Sequence, residues 1–188
     1  TKLVSRRWYS YDGDGNVSWT ISNVTGLGNK TMDYSYDEFG RVTKSVYQKN
    51  TAAETFVHYY EYDLNGKLKT VYTNTADNIS SRVLHAKYIY AITGGLKRVE
   101  YGDKLQGVDY VYTVDGKLKS INNANVGANG ANDPGKDGTG NGFATDVFSQ
   151  NMEYYTNDYL RTGTNINGVQ NASAPGKYSG LINGIGWQ

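Results

Sequence analysis

The chain has 188 residues and a mass of 20.8 kDa, enough for one ordinary domain or a short array of small repeats. Its 19 basic and 18 acidic residues leave a net charge of +1, so no global field draws it to nucleic acid or an anionic membrane. With 18 tyrosines, 23 glycines, 13% aromatic residues and a mean hydropathy of -0.63, it reads as a β-rich protein, neither a leucine-rich bundle, a disordered chain nor a helical membrane span.

Taken in chain order, five segments align: YSYDGDGNV from Tyr9, YSYDEFGRV from Tyr34, YEYDLNGKL from Tyr60, YIYAITGGL from Tyr88 and YVYTVDGKL from Tyr110. Their second tyrosines, Tyr11, Tyr36, Tyr62, Tyr90 and Tyr112, are spaced by 25, 26, 28 and 22 residues. Four residues after each stands a glycine (Gly15, Gly40, Gly66, Gly94, Gly116), and two further on an aliphatic (Val17, Val42, Leu68, Leu96, Leu118). Before each turn the apolar positions alternate, as in Met32, Tyr34 and Tyr36, which is the period of a strand. The D-x-x-G step reverses the chain, because glycine accepts positive φ and Asp bonds the backbone two residues on. Each repeat is therefore a β-hairpin, and hairpins of this size must pair with neighbours to bury a continuous face. Regular spacing favours packing for the paired tyrosines, with rings on the sheet and hydroxyls on backbone or water, over an aromatic platform for sugars or single-stranded nucleic acid.

These repeats resemble YD repeats of the Rhs type, known in bacterial polymorphic toxins and teneurins, whose pattern is close to Y-x-Y-D-x-x-G-R-L. Tyr34 to Val42, with Asp37, Gly40 and Arg41, is the nearest copy. Asp12 and Asp63 match the acidic position, where the fourth and fifth repeats carry Ala91 and Thr113. Arg41 has Lys67 and Lys117 as counterparts, whereas Asn16 and Gly95 depart from the pattern.

After Ile121 the composition shifts. Residues 122–188 hold 12 glycines and both prolines, Pro134 and Pro175, but only three basic residues, Lys136, Arg161 and Lys177. The stretch 122–142 reads as a long exposed Gly/Asn-rich loop. Strand signals return at 148–159 and at 181–187, and the expected organisation is five hairpin repeats over 1–121, the loop, and further strands over 143–188. Tyr154-Tyr155 with Asp158-Tyr159, and Gly180 to Trp187, resemble segments that follow a break in the repeats in Bacteroidetes-type members. The chain is read as an internal fragment.

Candidate sites are few. Asp12-Gly13-Asp14-Gly15-Asn16-Val17-Ser18 mimics the opening of an EF-hand loop, yet Val17 and Asn23 stand where the glycine and the bidentate glutamate belong. Asp133, Asp137 and Asn141 form a looser acidic loop with the same deficit. His58 and His85, the only histidines, occupy differing repeat positions without a nucleophile motif and read as ordinary sheet residues. With no cysteine, thiolate metal sites, disulfides and cysteine nucleophiles are excluded. No catalytic, cofactor or metal residues are assigned, and no enzyme is expected.

The resemblance implies an all-β fold of tandem β-hairpins in a curved, spiralling sheet, part of a hollow shell that encloses a C-terminal toxin or cargo domain. It implies partners in the rest of the parent chain and its cargo, and a secreted or cell-surface bacterial location. The Asp-Pro-x-Gly-Leu motif that closes such shells is incomplete at Asp133-Pro134-Gly135-Lys136. Two other readings stand beside it: a surface adhesion or carbohydrate-binding module, and a secreted passenger recognised by export machinery.

Overall fold

A computed structural model describes residues 5–122, 133–155 and 179–187. Among these the protein is all-β, with twelve strands and a single 3-10 turn at Ile79–Ser81. No helix of the described residues is long and apolar enough to cross a membrane. The chain divides into two compact halves, Thr1–Lys87 and Tyr88–Gln188.

The first half is built from β1 (Ser5–Tyr11), β2 (Val17–Val24), β3 (Gly28–Tyr36), β4 (Val42–Tyr47), β5 (Phe56–Tyr62), β6 (Leu68–Asn74) and the start of β7 (Val83–Tyr90). Each strand pairs antiparallel with the next in the chain. The register puts the first tyrosine of each repeat on one face: Tyr34 lies opposite Ser45, Ser45 opposite His58, and Tyr60 opposite Val71. On the other face Val46 lies opposite Val57 and Tyr59 opposite Tyr72. Val46, Val57 and Tyr59 are the buried cluster there, with Tyr72 packed against it. The tyrosines that close this cluster are thus outside the repeated pair.

In the second half β8 (Leu96–Tyr101), β9 (Gln106–Tyr112), β10 (Leu118–Ile121), β11 (Gln150–Glu153) and β12 (Gly184–Trp187) again pair in chain order. Strands β11 and β12 fall inside the two expected strand signals. The residues between β10 and β11 form no strand where they are described, so β11 takes the next place in the sheet after a long excursion. Residues 156–159 of the aromatic motif, Arg161, Pro175 and Lys177 lie outside the described residues.

All five turns share one backbone plan. The residue at the Asp position donates its N–H to the carbonyl four residues on, as in Asp12 to Asn16 (2.9 Å), Asp37 to Arg41 (3.0 Å) and Asp63 to Lys67 (2.8 Å). The glycine N–H donates back to the same residue's carbonyl, at 3.0 Å for Gly40 to Asp37. Gly15, Gly40, Gly66, Gly94 and Gly116 all have φ between 74° and 94°, left-handed values that a side chain resists. In the first, second, third and fifth repeats the ladder slips by one residue beside the turn, the bulge that such a left-handed glycine produces. Gly40→Ala is expected to destabilise the fold by about 1–2 kcal/mol, read from the urea midpoint, because its site is sterically open and only the φ of 74° resists the methyl.

Candidate functional site

Two constellations are candidates for function: the contacts that join one repeat to the next, and a buried ionic cluster in the second half. The first begins with the signature tyrosines. Tyr36 Oη donates to the Val17 carbonyl at 2.8 Å, and Tyr62 Oη to the Val42 carbonyl at 2.8 Å. In each case the second tyrosine of one repeat holds the aliphatic that follows the glycine of the repeat before. Tyr154 Oη makes the same bond to Leu118 at 2.7 Å, so Tyr154 acts as the second tyrosine of a sixth repeat. Its spacing of 42 residues from Tyr112 hid that equivalence in the sequence.

The residue four past each Asp position faces the same neighbour. The Arg41 guanidinium lies 4.6 Å from the Tyr62 ring and against Gly66, where a Cβ would sit 3.1 Å from Nη1. Lys117 Nζ is 5.7 Å from the Tyr154 ring. In the fourth repeat Gly95 meets the Tyr112 ring at 3.6 Å from its ideal Cβ, so the ring approaches backbone where others meet a side chain. Exposure grades along the array: Tyr9 and Tyr11 of the first repeat are half exposed or more, while Tyr34, Tyr36, Tyr60 and Tyr62 are partly buried. Tyr9, Tyr34, Tyr36, Tyr47, Met32 and Arg7 line an open cavity of about 450 Å³ on this face.

The EF-hand mimic resolves into a turn. Asp12 Oδ1 accepts from the N–H groups of Asp14 and Asn16, and Oδ2 from the Asn16 side chain. Asp37 does the same with Phe39 and Arg41, and Asp63 with Asn65 and Lys67. These carboxylates are committed to their own backbone. In the fifth repeat Thr113 Oγ1 substitutes for the carboxylate by accepting from the Lys117 N–H at 2.9 Å.

The histidines, 27 residues apart in sequence, meet in space. Their ring centroids are 6.4 Å apart, and His58 also stacks on Tyr60 at 6.1 Å with an interplanar angle of 13°. Burial, and then the neighbouring His85, push the His58 pKa below 6.5.

The ionic cluster joins the acidic loop of Asp133, Asp137 and Asn141 to Arg98 and Asp109, which no motif marked. Arg98 on β8 stands opposite Asp109 on β9 and is only 7% exposed. Its Nη1 pairs with Asp109 Oδ2, Nη2 with Asp137 Oδ1 at 2.7 Å, and Nε with Glu100 Oε1 at 3.3 Å. The Phe143 ring lies 4.6 Å from its Cζ. In the 122–142 stretch, read as an exposed loop, residues 133–142 are mostly exposed but bury Asp133 and Asp137, and Asp146 just beyond them is buried as well. Asn122 ties the stretch to the sheet, its Oδ1 accepting from the Asp109 N–H at 2.7 Å and its Nδ2 donating to the Phe148 carbonyl at 2.8 Å. Burial raises the Asp109 pKa to about 6 against the pull of Arg98. Burial, with Asp133, Asp137 and Asp109 as neighbours, raises that of Asp146 to about 7. Such a set can share protons or hold a cation.

No family model matches the chain, and no curated protein matches it. Solved structures do. TcdB2-TccC3 without its hypervariable C-terminal region aligns with a TM-score of 0.56 and 14% identity over 77% of this chain and 7% of that one. A Photorhabdus luminescens Tc holotoxin pore with a TccC3 mutation aligns at 0.53 and 14% identity over 80% of this chain and 7% of that one. TcdB2-TccC3-TEV gives 0.52 and 14% identity over 80% and 8%. At this identity the likeness establishes the fold, and the chain spans 7–8% of the length of these structures.

Three outcomes follow from the geometry. Tyr62→Phe leaves the Val42 carbonyl without its tyrosine donor and is expected to cost about 0.5–1.5 kcal/mol in urea unfolding. Arg98→Met strands the buried carboxylates and is expected to cost about 3–5 kcal/mol. His58 has a lowered folded pKa, so its stabilisation is full above about pH 6.5 and is lost as pH falls through the folded value. The raised carboxylates act in the opposite sense, losing stability as pH rises from about 4 towards 7. The Tm difference between wild type and His58→Gln therefore isolates the histidine, and it is expected to shrink as pH falls below about 6.5.

Proposed function

We propose that this chain is a structural segment of the β-shell of an Rhs-type YD-repeat protein, which encloses a C-terminal toxin or cargo domain and does no chemistry in this segment. The observation that supports it is the recurrence of one contact, a second tyrosine donating to the preceding repeat's post-glycine carbonyl, at Tyr36, Tyr62 and Tyr154. A contact that repeats along the array serves to extend the sheet, whereas a ligand site needs one special place. The turn carboxylates of Asp12, Asp37 and Asp63 are taken up by backbone N–H groups. Likeness in fold to parts of the TcdB2-TccC3 structures agrees with a shell wall. The signature residues, from Tyr9, Tyr11, Asp12 and Gly15 to Tyr110, Tyr112 and Gly116, are then joints of that wall. Its partners are further repeats and the enclosed domain, and its location is the cell exterior or surface.

The adhesion or carbohydrate-binding reading has one observation in its favour, the open tyrosine-lined cavity of the first half. The two readings separate experimentally. Cryo-electron microscopy of the full product of the encoding gene should reveal a hollow β-shell, and limited proteolysis should leave an enclosed C-terminal domain intact. A product without an enclosed domain, together with glycan-array binding that Tyr9→Ala and Tyr34→Ala abolish, would establish the adhesion reading instead.

A further inference from the structure

Among the described residues, Arg98 is the cation paired with the carboxylates gathered here. Asp109, Asp133, Asp137 and Asp146 are each at most 6% exposed, and Glu100 pairs with the same guanidinium. Carboxylate oxygens of Asp109, Asp133 and Asp137 lie within 4.8 Å of one another, the separation of ligands on opposite sides of one ion with oxygen contacts of about 2.3–2.6 Å. Arg98 does not satisfy them all. Asp133 Oδ1 and Asp137 Oδ2 have no hydrogen-bond donor among the described residues, although Asp133 is 5% and Asp137 1% exposed, and the Asp133 carboxyl stands beside that of Asp146. Buried carboxylate oxygens left in that state are costly unless something positive reaches them.

The surrounding backbone is shaped to this cluster. A Cβ on Gly107 would stand 2.3 Å from Asp137 Oδ2, and one on Gly135 would stand 2.2 Å from Asp109 Oδ2. Both would also strike the Arg98 guanidinium, at 2.0 and 1.7 Å. Neither glycine has a left-handed φ, so close approach of the charged groups, and not a turn, accounts for them. Asp133 Oδ2 accepts from the Asp137 N–H at 3.1 Å and Asn141 Nδ2 donates to Asp137 Oδ1 at 3.0 Å, which fixes one oxygen of each acid and leaves the other available. Gln106 Nε2 holds Asp146 Oδ1 at 3.0 Å beside them.

We infer that Asp109, Asp133 and Asp137 form a binding site for one divalent cation, calcium in preference to magnesium or zinc, that docks the 133–146 stretch on β8 and β9. The donors are all hard oxygens, with no histidine or cysteine in the cluster among the described residues, which disfavours zinc. A loop supplying ligands beside a fixed arginine gives irregular geometry, which calcium accepts and the strict octahedron of magnesium does not. This inference stands on the second half alone and is independent of the shell reading.

The test uses the whole 188-residue chain, stripped with EDTA. Isothermal titration with CaCl2 is expected to give one ion per chain, and excess CaCl2 to raise the Tm by several degrees over EDTA, with MgCl2 giving less. Asp133→Asn is expected to weaken binding about ten-fold or more, while Asp12→Asn in the first turn leaves it unchanged. Manganese line broadening in wild type locates the ion without a variant: the amides of Gly107, Asp109, Gly135 and Asp137 should broaden, and those of Gly13 to Asn16 should not. No heat and no Tm change at millimolar CaCl2, affinity that survives Asp133→Asn, or broadening centred on the first turn would each overturn it.

Discussion

The structure depends on a hydrogen bond that links a hairpin to the one before it at three places in the array. A tyrosine hydroxyl reaches back over a bulged turn to a main-chain carbonyl at 2.7–2.8 Å, seen from Tyr36, Tyr62 and Tyr154. A single such bond is worth about 0.5–1.5 kcal/mol net, less than the ordering cost of a hairpin. Its effect comes from position. The accepting residue immediately follows the turn, so the tyrosine fixes where the next strand pair begins. Register errors would move every apolar side chain to the wrong face, and this bond is lost in any slipped register.

That division of labour explains which parts of the repeat drift. The glycine never changes, because the turn demands a left-handed φ whatever lies around it. The aspartate does change, because its carboxylate only reinforces backbone bonds that form without it. Ala91 keeps both, donating to Gly95 at 2.8 Å and accepting from Gly94 at 2.8 Å. The position after the glycine varies most freely, since Asn16, Arg41, Gly95 and Lys117 need only present something to the next tyrosine or turn.

The second half is held differently. Its largest buried side chains include Glu153, Asp109 and Asp137, where the first half buries Val46 and Val57. A charged interior of this kind contributes specificity more than stability, because desolvation offsets much of the Coulomb attraction. It also holds the 133–146 stretch, bringing Asp137 to a guanidinium 39 residues away against two glycines that leave no room for a side chain. The bland Gly/Asn composition of that stretch conceals a structural element.

How much could be read beforehand follows from the range of each interaction. Strand, turn and repeat were legible because they are set by residues two to four apart: alternation from Met32 to Tyr36, Asp37 with Arg41, and Gly40 at its positive φ. What sequence could not supply was any contact whose partners are joined only by pairing of strands. His58 meeting His85, Tyr154 standing in for a repeat tyrosine, and Arg98 meeting Asp109 arise from that pairing, and Asp137 joins them from a stretch outside the strands. The amino-acid pattern by itself determined an all-β chain of hairpins and the turn chemistry of each. Tertiary structure alone decided which of the other carboxylates are buried together, because burial and charge balance are properties of neighbours in space.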